Sequence, residues 1–257
     1  MIHYVVLTTG SCGNCYCFYD GDTAVLVDCG VTYTKLSTEL EKHEIPLSSI
    51  KAVFLTHLHP DHAKGVGAVQ RKLSVPVYVS SRCYHNGKTE MMKQKLEVKS
   101  VVPVDWGVRT RVGFFTVTLY QTSHDSPGSS GCFIENGNDS IFLMTDTGII
   151  PDEAYSYALS SPVKFIEANY DDDMLTTGPY PEWLKARVRG VYGHLSNCDA
   201  VTFASRVSRR GDQVYFIHVS ENNNDITLLR NLAFSSIESG IFVKCCERGE
   251  MFEGFTD

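Results

Sequence analysis

The amino-acid sequence predicts an α/β fold. Short apolar runs of the length of buried strands alternate with segments of helical periodicity along the chain. Polar residues that can carry chemistry follow several of these runs directly, as they do at the carboxyl ends of strands in open α/β sheets. No Gly/Ser linker, low-complexity tract or internal repeat interrupts the 257 residues, so we expect a single domain over 1–257.

The first third of the chain supplies the opening strands. We expect strands at 3–8, 15–20 and 24–28, separated by turns at 10–14 and 20–22 that are rich in Gly, Asn and Asp. A helix follows at about 33–43. The apolar run 52–55 then has the length and composition of a buried strand.

The same alternation continues to the C-terminal region. Further strands are expected at 76–80, 114–121, 131–135, 140–145, 164–167, 214–218 and 241–244. Helices are expected at 61–73, 88–96, 152–159, 181–189, 197–209 and 224–238.

Composition narrows the functional class. Hydrophobic residues make up 43% and charged residues 21%, which is ordinary for a globular protein. The net charge of −7 argues against a protein that coats nucleic acid through its overall field, but it leaves room for a local basic groove. No apolar run approaches the ~20 residues that cross a bilayer, so no membrane association is expected. Nine cysteines without a secretory signal predict reduced thiols and a cytoplasmic location.

One segment concentrates metal-binding side chains. Between an expected strand and an expected helix, six positions hold three imidazoles and one carboxylate: His57, His59, Asp61 and His62. Imidazole and carboxylate suit zinc, manganese and iron. A loop at a strand end can direct the first two histidines to one ion, while Asp61 and His62 face a second.

One segment cannot complete two coordination spheres, so further donors are expected at other strand ends. His124 follows 115–123, Asp146 follows 141–145 and His218 follows 214–217. Taken alone, each of these would more often be an ordinary histidine or a turn aspartate. Their joint occurrence predicts that they converge with the first segment.

These motifs follow one another in a set order: the HxHxDH segment, Ser-His-Asp, Asp-Thr-Gly and a strand-terminal His. With this series the sequence resembles the metallo-β-lactamase superfamily. The resemblance implies a four-layer αβ/βα sandwich with two ions at the edge of the paired sheets. By motif, His57, His59 and His124 would hold the first ion, and Asp61, His62 and His218 the second. Asp146 would bridge them, and Asp28 would support the site from behind the ligands.

Further segments are similar to the YycJ/WalJ branch, which is related to ribonuclease Z and the phosphodiesterase PhnP. They are Thr9 to Asn14, Glu167 to Asp171, Tyr180 to Val188, Gly193 to Asn197, and His218 to Asn224. This likeness implies phosphodiester hydrolysis, with 5′-to-3′ DNA exonuclease activity and nucleic acid, expected to be DNA, as the substrate. It also implies that His194, paired with Glu167, is the general acid, so that His194, Glu167 and Asp61 form the catalytic set.

The expected cofactors are two divalent ions, zinc, manganese or iron, which would acidify a bridging water to the attacking hydroxide. Lys185 and Arg187 on an expected helix before His194 are candidates for phosphate contact. Ser11, Asn14 and Asn223 could bind substrate or could be ordinary turn residues.

Two alternatives remain open from the sequence. The fold also hosts hydrolases of esters, thioesters and lactams, for which no His194–Glu167 pair is required. A non-catalytic protein that binds nucleic acid or metal belongs to a different class, and the complete set of seven candidate ligands argues against it. The oligomeric state is not predicted.

Overall fold

In the computed structural model of the protein, which describes residues 1–256, two seven-stranded β-sheets are the central layers. Fourteen strands, β1 to β14, run in chain order. They are His3–Thr8, Cys15–Tyr19, Ala24–Val27, Ile50–Phe54, Val77–Ser80, Val101–Val104, Arg109–Val112, Phe115–Gln121, Ser130–Asn136, Asp139–Met144, Val163–Glu167, Gln213–Ile217, Phe242–Cys245 and Phe252–Phe255.

The first sheet has the order β14-β1-β2-β3-β4-β5-β6 and the second the order β13-β12-β11-β10-β9-β8-β7. In each sheet the strands run parallel on one side and antiparallel on the other: β3 to β6 are parallel, and so are β10 to β13. The carboxyl ends of both parallel groups therefore form continuous edges at which loop side chains can meet.

Residues 1–256 contain ten α-helices, α1 to α10. They are Tyr33–Lys42, Pro60–Ala63, Val66–Leu73, Ser81–Asn86, Lys88–Lys93, Asp152–Leu159, Asp172–Thr177, Glu182–Arg189, Asn197–Val207 and Ile226–Ser236. Short 3₁₀ turns lie at Leu47–Ser49 and Val98–Ser100. One apolar core joins the first sheet to helices α1 to α5, and another joins the second sheet to α6, α9 and α10.

A third core lies between the sheets. Along β1 the pleat sends Val5 and Leu7 into the helix-covered core and Tyr4 and Val6 into the core between the sheets. Both faces of the central strands are thus buried, which accounts for their nearly continuous apolar sequences. The predicted four-layer αβ/βα sandwich is confirmed.

One helix expected at 61–73 is divided into α2 and α3. The break falls at Gly65, whose amide donates to the Cys29 carbonyl at 2.9 Å. A β-carbon on Gly65 would lie 1.9 Å from the carbonyl oxygen of Val31, so only glycine allows this close approach. The loop after β3 is thereby locked against the metal-motif segment.

The sequence analysis did not predict three of the strands, and each of them lies at the edge of a sheet. β6 carries Pro103, β7 is largely exposed, and β14 contains Gly254 beside the ring of Tyr4. Edge strands need no continuous apolar pattern and tolerate Pro, so periodicity gives little signal for them. Helices α4 and α7, each of six residues, were also not predicted.

Within residues 1–256, no helix combines the length and the apolar character needed to cross a membrane.

Candidate metal centre

The centre lies where strands of both sheets end. Asp28 and His218 immediately follow β3 and β12, and Asp146 follows β10 after Thr145. All three have left-handed backbones, with φ of 58° at Asp28, 50° at Asp146 and 54° at His218. This conformation is uncommon outside glycine, although Asp and His adopt it more readily than most residues. It turns the chain sharply at the strand end, and such strain concentrates at functional sites.

The HxHxDH segment follows β4 and enters α2. His59 is the N-cap of this short helix, and Pro60 occupies its first position, where the ring's fixed φ fits and the missing N–H is not needed. His57 stays in the extended segment before the helix, while Asp61 and His62 lie in the first turn. The four donor side chains are therefore carried by two different backbone conformations, the extended segment and the first turn of α2.

His57, His59 and His124 form the first donor group. One ring nitrogen from each lies within 4.8 Å of the other two. His124 Nε2 lies 3.2 Å from His59 Nδ1, and its own Nδ1 donates to the Gly193 carbonyl at 2.9 Å. That bond fixes the tautomer and leaves His124 Nε2 as a lone-pair donor.

Asp61, His62 and His218 form the second group, again with donor atoms within 4.8 Å of one another. Asp61 Oδ2 lies 3.6 Å from the Nε2 atoms of both His62 and His218. The structure thus brings together residues from α2 and from the end of β12, more than 150 positions apart in the chain.

Asp146 lies between the two groups. Its Oδ1 is 3.6 Å from His124 Nε2 and 3.7 Å from His218 Nε2, and its Oδ2 is 3.1 Å from His62 Nε2. Thr145 donates to Oδ2 at 2.6 Å. This carboxylate therefore lies close to candidate ligands of both donor groups.

Asp28 orients the second group from behind. Its Oδ2 accepts from His62 Nδ1 at 2.7 Å and from the Thr56 hydroxyl at 2.8 Å, while Oδ1 accepts from the Thr56 amide at 2.8 Å. All three residues are buried. A carboxylate that holds the far nitrogen of an imidazole directs the other nitrogen into the site.

Electrostatics differ between the two groups. Burial lowers the pKa values of His57, His59 and His124, so these imidazoles are neutral, as metal ligands must be. Burial acts in the same direction on His218, but Asp146, Asp61 and Glu167 outweigh it and raise its pKa to about 10. The carboxylates around the second group therefore favour positive charge at this position.

Two buried ring nitrogens without hydrogen-bond partners indicate whether these residues suit a metal ion. Among residues 1–256, His57 Nε2 and His218 Nε2 find no hydrogen-bond partner although both are inaccessible to solvent. A buried polar atom left without a partner costs roughly 1–3 kcal/mol. Divalent ions coordinated by these nitrogens would satisfy both, so the donor set fits metal binding.

His194 and Glu167 form a pair next to this cluster. His194 Nδ1 lies 2.6 Å from Glu167 Oε1, which is also 3.0 Å from His218 Nδ1. Glu167 Oε2 accepts from the amides of Thr147 and Leu195 at 3.0 and 3.3 Å. Burial would lower the pKa of His194, but the Glu167 carboxylate outweighs it and raises that pKa.

A cavity of about 270 Å³ opens above these residues. Ser11, Arg187 and Asn223, proposed from the sequence as substrate contacts, lie in its wall, and the Asn223 side-chain oxygen is buried without a hydrogen-bond partner in residues 1–256. Lys185 lies outside the wall, because its ammonium group binds the Thr176 carbonyl at 2.7 Å and Glu182 at 3.0 Å.

Asn14 is also outside the cavity and fully buried. Its Nδ2 lies 2.9 Å from His62 Nε2, and its Oδ1 accepts from the Gly10 amide at 2.9 Å. The residue therefore contacts a candidate ligand and not the substrate space. An ion bound to His62 Nε2 would replace this amide contact.

Sequence reasoning did not assign a role to Asp125. Its Oδ1 lies 3.4 Å from His59 Nε2 and 3.5 Å from His124 Nε2, while Oδ2 accepts from Arg187 Nε at 2.6 Å. Asp125 thus links the first donor group to the arginine in the cavity wall. Its position directly after His124 is the one signal that could have identified it.

The fold and the strand-end His/Asp cluster define a class of protein. Residues 9–189 match the model of the metallo-β-lactamase superfamily, and the chain belongs to this superfamily of metal-dependent hydrolases.

Within it, the chain is similar to the exodeoxyribonuclease YycJ of Bacillus anthracis, with 28% identity over 253 residues that cover 98% of this chain and 94% of that protein. It is 27% identical to the exodeoxyribonuclease WalJ of Streptococcus pneumoniae D39, over 94% of this chain and 92% of that one. The metallo-β-lactamase fold protein YhfI from Bacillus subtilis superposes with a TM-score of 0.71 at 19% identity, covering 98% of this chain and 99% of the other. The resemblance to the YycJ/WalJ branch is confirmed.

Proposed function

We propose that the protein is a metal-dependent phosphodiesterase that degrades DNA from the 5′ end, the activity that its resemblance to YycJ and WalJ implies. The pairing of His194 with the buried Glu167 beside the His/Asp cluster carries this proposal. Phosphodiester cleavage expels an alkoxide, which leaves only with difficulty unless it receives a proton. Ester, thioester and lactam hydrolysis at the same cluster does not require this pair.

Two divalent ions, zinc, manganese or iron, are the proposed cofactors. His57, His59 and His124 would hold one, Asp61, His62 and His218 the other, and Asp146 both. When bound, such ions lower the pKa of water and stabilise negative charge that develops on a phosphoryl oxygen. Asp28 and Asp125 would keep the imidazole rings oriented behind the ligands.

His194 is the proposed proton donor. Its Nδ1 is held by Glu167 at 2.6 Å, which leaves Nε2 for a leaving oxygen in the cavity. Glu167 has no solvent exposure and accepts hydrogen bonds from two main-chain amides, so its carboxylate stays fixed while it stabilises the protonated ring. Such a fixed pair serves general acid catalysis without reorganisation.

The cavity wall provides the substrate contacts. Arg187, half exposed, reaches the wall from α8 and is held there by Asp125, which suits it to bind a non-scissile phosphate. Ser11 and Asn223 add a hydroxyl and a buried amide oxygen. Because Arg187 is paired with Asp125 and the chain has a net charge of −7, bound divalent ions would supply the positive charge that an anionic strand needs at this site.

The cysteines support a reducing, cytoplasmic location. All nine are free in the structure, and most are buried. A DNA-degrading enzyme with unpaired thiols is expected in the compartment that keeps thiols reduced.

The decisive experiment offers zinc- or manganese-loaded protein end-labelled single- and double-stranded DNA and RNA, with and without a 5′ phosphate. A lactam and a thioester are assayed in parallel, and Asp61→Ala is the control that removes one donor. We expect metal-dependent release of nucleotides from the 5′ end of DNA that the control lacks. Turnover of the lactam or thioester without cleavage of any oligonucleotide would assign the chain to the acyl hydrolases. Binding of nucleic acid without turnover of any substrate would favour a binding protein.

A further inference from the structure

A second cavity, of about 320 Å³, adjoins the metal centre. His124 belongs to the walls of both cavities, and Asp125, which contacts His59 and His124, lines the second one. The rest of the second cavity includes two aromatic rings, Trp106 and Tyr192, and one cation, Arg82. None of these three residues takes part in the proposed chemistry.

We propose that this second cavity binds the nucleobase of the nucleotide next to the scissile phosphate, by stacking on Tyr192 and Trp106. The inference rests on the proposed function and identifies how the substrate strand is held. Proteins that bind single-stranded nucleic acid combine exposed aromatic faces, on which bases stack, with cations that follow the backbone. Here both elements lie beside the candidate cleavage site.

The walls of this cavity are fixed before any ligand arrives. The loop from Thr122 to Ser129 is closed by two bonds: the Thr122 amide donates to the Ser129 carbonyl at 3.1 Å, and the Ser129 hydroxyl returns to the Thr122 carbonyl at 3.0 Å. Ser80 at the start of α4 donates to the Gly128 carbonyl at 2.6 Å. Gly128 has a φ of +69°, and a β-carbon there would lie 2.3 Å from the Cys83 amide nitrogen. These contacts hold the loop of the cavity wall against the start of α4, the helix that carries Arg82.

The aromatic residues are positioned in different ways. Trp106 is partly buried in the core between the sheets, and its ring nitrogen donates to Ser130 at 2.9 Å, so its orientation is set. Tyr192 is 65% exposed at the rim, two residues before His194. Gly193, between them, accepts the hydrogen bond that orients His124. A base stacked on Tyr192 would therefore lie next to the proton donor.

Polar atoms favour a nucleotide over a purely apolar ligand. Thr122 lies in the wall and is only 4% exposed, yet its hydroxyl has no hydrogen-bond partner among residues 1–256. It could bond to the edge of a base or to a sugar oxygen. The Arg82 guanidinium gives the same wall a positive charge, and the charge of Asp125 is already paired with Arg187 at 2.6 Å.

Tyr192→Ala is the most informative variant, because it removes an exposed side chain at the rim and creates no cavity in a hydrophobic core. Phe114→Ala is the matched control: Phe114 is 66% exposed and lies just before β8, at the end of that strand opposite to His124. Tyr192→Phe keeps the ring and should retain the dependence of kcat/KM on the flanking base that Tyr192→Ala loses. Each protein is assayed on single-stranded DNA that is intact or abasic at one of the two positions flanking the scissile phosphate.

We expect Tyr192→Ala to lower kcat/KM on intact DNA by ~10-fold, within the range that loss of one base stack produces. At one flanking position, removal of the base should lower kcat/KM of the wild type by a similar factor and cause no further loss in Tyr192→Ala. Equal kcat/KM on intact and abasic DNA, or a loss in Tyr192→Ala that persists on the abasic strand, would overturn the proposal.

Equilibrium binding of the same oligonucleotides to Asp61→Ala separates this inference from the proposed function. Base-dependent binding that a second change, Tyr192→Ala, abolishes in this variant, together with no cleavage of DNA by the metal-loaded wild type, would keep the base subsite and refute the nuclease. Cleavage of DNA with no dependence on the flanking base would keep the nuclease and refute the subsite. Loss of both cleavage and base-dependent binding would refute both.

Discussion

Replacement of His194 by Gln tests the proton-donor role, because its effect should depend on the leaving group. Glutamine retains a hydrogen-bonding amide near Glu167 but cannot donate a proton to a departing alkoxide. On DNA we expect kcat to fall by ~10²–10⁴-fold, the usual contribution of a positioned general acid. On bis(p-nitrophenyl) phosphate, whose leaving group departs without a proton, the loss should stay below ~10-fold.

The contacts of Glu167 determine how well the variant folds. Without the imidazole, Glu167 keeps His218 at 3.0 Å and the two main-chain amides at 3.0 and 3.3 Å, so three of its four close contacts remain. We therefore expect a loss of unfolding free energy of about 1.5–3 kcal/mol, typical of one hydrogen bond to a charged group. The folded structure should remain.

The assay compares kcat on both substrates for the wild type and the variant, with thermal unfolding as a check on folding. His43→Gln is the matched control: His43 bonds to Glu253 at 2.9 Å beside β1, whose opposite end approaches His218. It should leave both activities unchanged. Equal losses of the His194 variant on the two substrates would refute the role of proton donor and leave a role in positioning alone.

Three further variants test residues that hold the candidate metal ligands in position. Asp28→Asn should weaken metal binding by ~10–100-fold, measured by competition with a chelator, because it removes the carboxylate that holds a ligand imidazole. Gly30→Ala should destabilise the fold by ~1–3 kcal/mol in thermal unfolding and displace the metal, because the new methyl group would lie 1.6 Å from the Asp61 carbonyl oxygen. Asp125→Asn should raise KM for DNA by ~10-fold or more, since it frees Arg187 and loosens the first donor group. Unchanged chelator competition, unchanged unfolding or unchanged KM, respectively, would contradict the assigned contacts.

The order of the metal donors could be predicted because the fold imposes it. His124, Asp146 and His218 each follow an apolar strand, and the carboxyl ends of parallel strands meet at one edge. Burial in four layers makes the central strands apolar on both faces, so they are visible in the sequence. What the pattern could not give is the left-handed backbone at Asp146 and His218, which depends on contacts made in three dimensions.

Other features depend on how elements pack, and the sequence could not predict them. Leu184, Arg187 and Val188 share the face of α8 that lines the cavity, whereas Lys185 lies about a quarter-turn away and binds a carbonyl in the last turn of α7. Lys185 and Arg187 both lie close to His194 in the sequence, so their positions along the chain could not show which of them lines the cavity. Asp125 is a similar case. It links the first donor group to Arg187 only when the loop after β8 lies next to α8.

Seven side chains from four parts of the chain are proposed to hold divalent metal together. The most direct test of this proposal is a crystal structure of the zinc- or manganese-loaded protein with anomalous scattering at the metal edge. We expect two peaks, one among His57, His59 and His124 and one among Asp61, His62 and His218, with Asp146 in contact with both. A loaded crystal without anomalous density at either donor group would contradict the account.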